Sequence, residues 1–313
     1  MHDMKYTLLL ILFGLHLSLL GQGRFDSLSL EKMHGLESRL LVMGDSMISD
    51  SSETVRIRNA YLQIPLLLDI LKIPGSFHYP FDSLRVISIT YAPDSAFRVF
   101  TWQFQLNSGR YRHLGAVQLN SDSLRLIPLF DASDFMQRPE DSISGARRWY
   151  GAMYYKAMMQ HSGDTAFYYF FGYDPNDPFS TRKLVEVMHF ENGELILGAR
   201  KFYFPERDSN RYQARFFIEY KKEASASLNF DESRNLIIYD HLVPLNPLSE
   251  AAADRVPDGT YEGFEYKNGR WEHVSKVFHE AINEFDNPPV PHPLDFEKEK
   301  KERLEQQKRR EKK

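Results

Sequence analysis

Two regimes of hydrophobic spacing divide the chain. Over residues 26–73 apolar positions recur at intervals of three and four: Met33, Leu36, Leu40, Met43 and Met47 form one stripe, and Val55, Tyr61, Ile64, Leu68 and Leu71 a second. That period predicts two amphipathic helices. Gly44-Asp45-Ser46 lies near the end of the first, and Asp50 with Glu53 three residues later reads as a capping box for the next. Pro65 should kink the second helix or restart it, and Pro74-Gly75 should stop it. Packed as a hairpin, or laid on a sheet, the pair would bury both stripes.

From Phe81 to Phe278 the period shortens to two. Phe97, Val99, Thr101 and Gln103 fall on one face of a predicted strand, and Arg98, Phe100, Trp102 and Phe104 on the other. Both faces carry large apolar side chains, so this strand is expected to be buried on both sides. Further strands are predicted at 86–91, 114–119, 124–130, 149–158, 166–173, 183–190, 195–204, 214–220, 226–230, 236–241, 259–266 and 271–278. Ala92-Pro93-Asp94-Ser95 is a turn, and Asn192-Gly193, Asn268-Gly269 and Asp258-Gly259 supply the positive φ that tight hairpins need. Short intervals favour sequential antiparallel pairing. Asp94-Ser95-Ala96-Phe97 is echoed by Asp164-Thr165-Ala166-Phe167. The expected fold is therefore mainly β, an antiparallel meander built as a sandwich or a propeller-like array, with an N-terminal helical pair.

The two ends read differently. Lys5, the apolar run from Leu8 to Leu20, and Gly21-Gln22-Gly23 have the order of a secretory leader. The run falls short of the ~20 apolar residues of a spanning helix, and no later stretch is as long. Residues 1–22 are thus expected to be a signal peptide, 24–75 a helical segment, 76–280 an antiparallel β domain, and 281–313 a Pro-rich linker with a charged tail. Pro288-Pro289-Val290-Pro291-His292-Pro293 is stiff and extended, and the final 19 positions carry nine basic and six acidic residues. A solubilising tail is the simpler reading, and a docking peptide the sharper one.

Composition narrows the function classes. The net charge of −4 argues against a nucleic-acid role, which needs a basic face. With no cysteine, the chain has no disulfide, no thiolate metal site and no acceptor for a lipoprotein anchor. The 23 Phe and 17 Tyr favour pleated, half-buried surfaces, which supports the sheet reading.

Candidate chemistry is thin. Gly44-Asp45-Ser46-Met47 resembles the Gly-Asp-Ser-Leu block of one esterase and lipase family, in which the serine is the nucleophile, but no Asp-x-x-His follows to complete a triad. A loop between helices explains the same residues. His273 and His279, six apart, are the closest histidine pair, and neither His-x-x-x-His nor His-Glu-x-x-His occurs. Tyr239-Asp240-His241 is the densest reactive cluster, yet neighbours on a strand point to opposite faces. Asp174-Pro175-Asn176-Asp177-Pro178 lacks the glycine and distal glutamate of a calcium loop and reads as a turn. Trp102, Trp149, Trp271 and Tyr168-Tyr169-Phe170-Phe171 are aromatic enough to line a glycan cleft, with core packing as the default.

Several segments together resemble a group of exported proteins of unknown function from Bacteroidota: 76–84, 92–102, 149–155, 219–224, 239–244 and 256–264. The resemblance implies a shared fold and export route, and no activity. The expectation is then an exported protein of the cell envelope, periplasmic or extracellular, that binds an envelope protein or a glycan or serves a structural role, without catalysis and without a cofactor. The alternative is an envelope hydrolase acting on a glycan or ester.

Overall fold

A computed structural model describes residues 25–209 and 211–277. The expected signal peptide, the Pro-rich linker with its charged tail, and His279 lie outside the described residues. Helices α1 (Ser27–Ser49) and α2 (Glu53–Leu71) form the predicted pair. Asp26 caps α1 by accepting from Ser29 N at 2.7 Å, satisfying an orphan donor of the first turn. The expected capping box does not form. Asp50 closes α1 and accepts from Ser52 N in a local turn, while Glu53, the first residue of α2, reaches across to Asn107 N at 3.1 Å. Nor is α2 restarted at Pro65, which lies within one continuous helix. Pro65 and Tyr61, whose carbonyl loses the missing N–H, both lie on the exposed side of the helix, away from the core.

Three mainly antiparallel sheets follow. The first sheet runs β1 (Ser88–Tyr91), β2 (Phe97–Gln105), β3 (Tyr111–Leu119), β4 (Leu126–Phe130). The second contains β5 (Ser144–Gly145), β6 (Met153–Ser162), β7 (Thr165–Asp174), β8 (Ser180–Glu191) and β9 (Glu194–Leu197), ordered β5-β9-β8-β7-β6, with β12 (Phe216–Lys221) also paired to β8. The third holds β10 (Phe202–Tyr203), β11 (Tyr212–Gln213), β13 (Leu228–Asp231), β14 (Leu236–Pro244), β15 (Arg255–Lys267) and β16 (Arg270–Val274), ordered β11-β10-β16-β15-β14-β13. β10 pairs parallel with β16, and β12 returns to the second sheet after β10 and β11 have entered the third. The fold is mainly β, antiparallel, with the helical pair at its N-terminal end.

The layers stack as helices, first sheet, second sheet, third sheet, in the manner of an extended sandwich. Strand alternation explains why. On β2, Phe100, Trp102 and Phe104 pack with Met33, Leu40, Ala60, Leu67 and Ile70 of the helices. Phe97 and Val99, one residue out of phase, pack with Tyr154, Tyr168, Phe170 and Leu184 of the second sheet. On β7 the aromatic run divides again: Tyr168 and Phe170 face the first sheet, while Tyr169 and Phe171 face Phe202, Ile237, Phe264 and Trp271 of the third. Two sheets buried on both faces need large apolar side chains at consecutive positions, which accounts for the aromatic content.

Three predicted elements are corrected. The strand expected at 195–204 is two strands in different sheets, because Gly198 turns the chain at φ +89° and a Cβ there would meet Ser142 O at 2.6 Å. Trp149 precedes β6, bridged to Asp131 and preceded by a short 3-10 turn, Ala146–Arg148. Asp258-Gly259 is no hairpin turn: Gly259 lies inside β15, where the β14–β15 register shifts between Asp240 and Leu242. Asn192-Gly193 and Asn268-Gly269 do turn hairpins, all four residues at positive φ.

Candidate functional site

A hollow of about 600 Å³ lies between α2 and the outer face of β3 and β4. Its floor is written by strand alternation. Arg112, Leu114 and Ala116 project from β3, and Leu126, Pro128 and Phe130 from β4, with Trp102 of β2 at the inner side. The wall is the α2 face of Tyr61, Ile64, Leu68 and Leu71. The helices close over β1 and β2 and stop short of β4. The small side chain of Ala116 and the flat ring of Pro128, opposite each other in the ladder, leave the gap open. Tyr61 and Phe130, each 53% exposed, stand at its rim. This is the size and apolar lining of a small-molecule site.

One end of the groove is polar. Arg112 Nη2 meets Asp134 Oδ2 in a close ion pair, and Arg110 Nη1 reaches Asp134 Oδ1 at 3.4 Å. Asp131 also lines this end, and its Oδ2 accepts from His113 N at 2.9 Å and Oδ1 from Ser133 N and Oγ. Burial pushes the Asp131 carboxyl up, but His113 and Ser133 outweigh it and hold it well below the usual carboxylate range.

A second, smaller cleft of about 340 Å³ lies over β14–β16. Carboxylates and imidazoles alternate there. His241 Nδ1 lies 2.9 Å from Asp258 Oδ2, and its Nε2 3.8 Å from Glu262 Oε1. Across Glu262, His273 Nε2 lies 3.3 Å from Oε2, and its Nδ1 3.0 Å from Glu206 Oε1. Tyr239 donates its hydroxyl to Glu262 Oε2 at 2.8 Å, and burial with the Glu262 charge pushes that phenol upward. The bulge opposite His241 sets this up, since it breaks the alternation that would otherwise keep His241 and Asp258 apart.

The residues singled out from sequence scatter. Ser46 sits in the last turn of α1, not in a loop, and its hydroxyl accepts from Asn59 Nδ2 at 2.7 Å between the helices. Asp240 is engaged by Ser227 while His241 faces Asp258, so the adjacent pair stays divided as expected. Asp174 and Asp177 accept from Asn176 N, Phe179 N and Ser180 N, closing the expected turn around Asn176 at φ +55°. Trp149 and Trp271 are wholly buried and offer no sugar platform. Trp102 is the exception, lining the groove while its indole N–H donates to Ala60 O at 3.2 Å. Sequence reasoning missed Arg112, Phe130, Glu206 and Glu262. Pro128 held a signal for the first two, because proline within a strand marks a sheet edge.

Among the described residues no group of three His, Asp or Glu side chains is placed to hold a metal ion, and no helix is long and apolar enough to cross a membrane. Comparison with protein-family models, curated proteins and solved structures gave no match to this chain.

Proposed function

We propose that this chain is an exported, non-enzymatic binding protein of the cell envelope, periplasmic or extracellular, whose groove beneath α2 receives an apolar small molecule. The groove itself carries the reading: about 600 Å³ of hollow, walled by aliphatic and aromatic carbon, persists where a folded chain would ordinarily fill the space. The leader read from Lys5 to Gly23 supplies the export half. The test has two arms. Fractionated cells should hold the protein outside the cytoplasm with its leader removed. The purified protein should bind the neutral dye N-phenyl-1-naphthylamine saturably, and Ala116→Trp should abolish that binding. Intact leader on cytosolic protein, or unsaturable dye uptake indifferent to the substitution, refutes it.

A second reading, an envelope hydrolase acting on a glycan or ester, draws on the cleft, where His273 stands between the carboxylates of Glu206 and Glu262. Nitrophenyl ester and glycoside panels test it. Turnover lost in Glu262→Gln would favour it, and no turnover with any substrate removes it.

A further inference from the structure

We propose that the occupant of the groove is a single-chain amphiphile with an anionic head, its head on Arg112 and its chain along β3 toward Ala116. The inference rests on the binding reading above and names its ligand. Three observations carry it. First, the floor is a directional row: Arg112, Leu114 and Ala116 alternate on one face of β3, so a guanidinium begins the row and apolar carbon continues it. Second, the mouth has spare positive charge and spare donors. Two guanidinium groups, Arg110 and Arg112, share the one carboxylate of Asp134. Arg112 has no other partner among the described residues, which leaves Nε and Nη1 free to donate to carboxylate or phosphate oxygens. Third, Asp131 also lines this end of the hollow, but its carboxylate is already engaged, accepting from His113 N, Ser133 N and Ser133 Oγ. A cationic head would meet two guanidinium groups and an uncharged head gains only a hydrogen bond without charge attraction, whereas an anionic head meets a partly exposed Arg already oriented by Asp134. The chain then covers Leu114, Ala116, Pro128 and Leu126 against Ile64 and Leu68, removing from water the apolar surface the fold leaves open.

The test titrates the mature protein with four sixteen-carbon probes below their micelle concentrations: hexadecanoate, hexadecyl phosphate, hexadecanol and hexadecyltrimethylammonium. Binding is followed by calorimetry and by intrinsic tryptophan fluorescence, to which Trp102 contributes from the groove. An anionic probe should bind at least about tenfold more tightly than the alcohol, and the cation more weakly. Arg112→Gln, at a partly exposed position that threatens no core contact, should bring the anions to within about threefold of the alcohol and leave the alcohol unchanged. Preference for hexadecanoate over hexadecyl phosphate assigns a carboxylate head, and the reverse a phosphate head; either supports the proposal. Equal affinity for all four heads, or a preference that survives Arg112→Gln, overturns it while the binding reading stands. No binding of any chain, with Ala116→Trp indistinguishable from the parent, brings down both.

Discussion

Arg215 donates Nε–H to Glu186 Oε2 across 2.7 Å, and both side chains are sealed from solvent. The pair sits between the first and second sheets, on the face of β8 that carries Leu184 and Met188. Arg215 also donates Nη1 to Pro139 O and Ser142 O, pinning the segment before β5 to the second sheet. Glu186 Oε1 accepts from Val187 N at 3.1 Å. Removing water from two charges costs several kcal/mol each, which their attraction repays only in good geometry. Breaking the pair is therefore expected to be worse than removing it. Arg215→Met should cost roughly 3–5 kcal/mol, because it strands a buried carboxylate, and Glu186→Leu with Arg215→Met should recover most of that loss. Urea unfolding of the parent, Arg215→Met, Glu186→Leu and the double variant decides it. A double variant as unstable as the sum of two damaging singles would contradict the account.

Arg98 offers the contrasting case, a buried guanidinium whose partners are all uncharged. It donates to Gln118 Oε1, Tyr79 O, Ser76 O and the Tyr91 hydroxyl at 2.7–2.8 Å. The rings of Phe77, Phe81, Tyr91 and Phe100 surround it within 5.5 Å. Burial pushes the group down to about 10, against the pull of Tyr91. Four acceptors on three segments of chain need the fork of a guanidinium, and a single ammonium cannot reach them all. Arg98→Lys and Arg98→Met should each lose at least about 3 kcal/mol, since stranded carbonyls cost roughly 1–3 kcal/mol apiece. Thermal and urea unfolding measure this. A loss within about 1 kcal/mol for Arg98→Lys would show that the bonds to Ser76 and Tyr79 contribute little.

The legible part of this molecule was local. Period three-and-four gave α1 and α2, and the two-faced alternation at Phe97 to Phe104 foretold a strand buried on both sides. What sequence could not give was long-range. Leu195 to Phe204 reads as one strand because its apolar pattern continues, yet Gly198 carries the chain from one sheet to another, an event set by the approach of Ser142 O. Asp258-Gly259 has hairpin chemistry and serves as a bulge, since positive φ suits both. The groove was illegible for a similar reason. Apart from Arg112, His113 and Asp131 at its polar end, its residues are ordinary core types, and the hollow arises only where α2 fails to cover β4. Likewise His241, Glu262 and His273 come from three strands, and only the bulge brings Asp258 to them.

Gly44 gives a sign reversal. In an exposed helix interior, glycine to alanine stabilises by roughly 0.8–1 kcal/mol. Here a Cβ would run into Cγ2 of Val86, a β-branched side chain with little freedom to turn away. Gly44→Ala is therefore expected to destabilise by roughly 1–3 kcal/mol through overpacking. Val86→Ala makes the room, so the double variant should show a favourable coupling of about 1 kcal/mol or more. Urea denaturation across the four-protein cycle measures it. Additive losses would mean that the contact of α1 with the segment before β1 is looser than the geometry states.

Asp131 predicts how acid acts on the first sheet. Its carboxyl is buried, which raises it, but the bond and charge of His113 with the two bonds from Ser133 hold it well below its ordinary value. A carboxylate depressed in the fold binds fewer protons folded than unfolded across the window between its two values. Its stabilising contribution is thus complete above the unfolded value near 4 and drains away as pH falls through the folded one. The parent should lose stability steadily below about pH 4. Asp131→Asn should lose roughly 1–3 kcal/mol at pH 7, where the charge-assisted bonds to His113 N and Ser133 are weakened, and should show a flatter decline in acid. Urea midpoints at a series of pH values give both quantities. Parallel acid limbs in the parent and the variant would place the acid-sensitive carboxylate elsewhere and release Asp131 from its role in tying β3 to the end of β4.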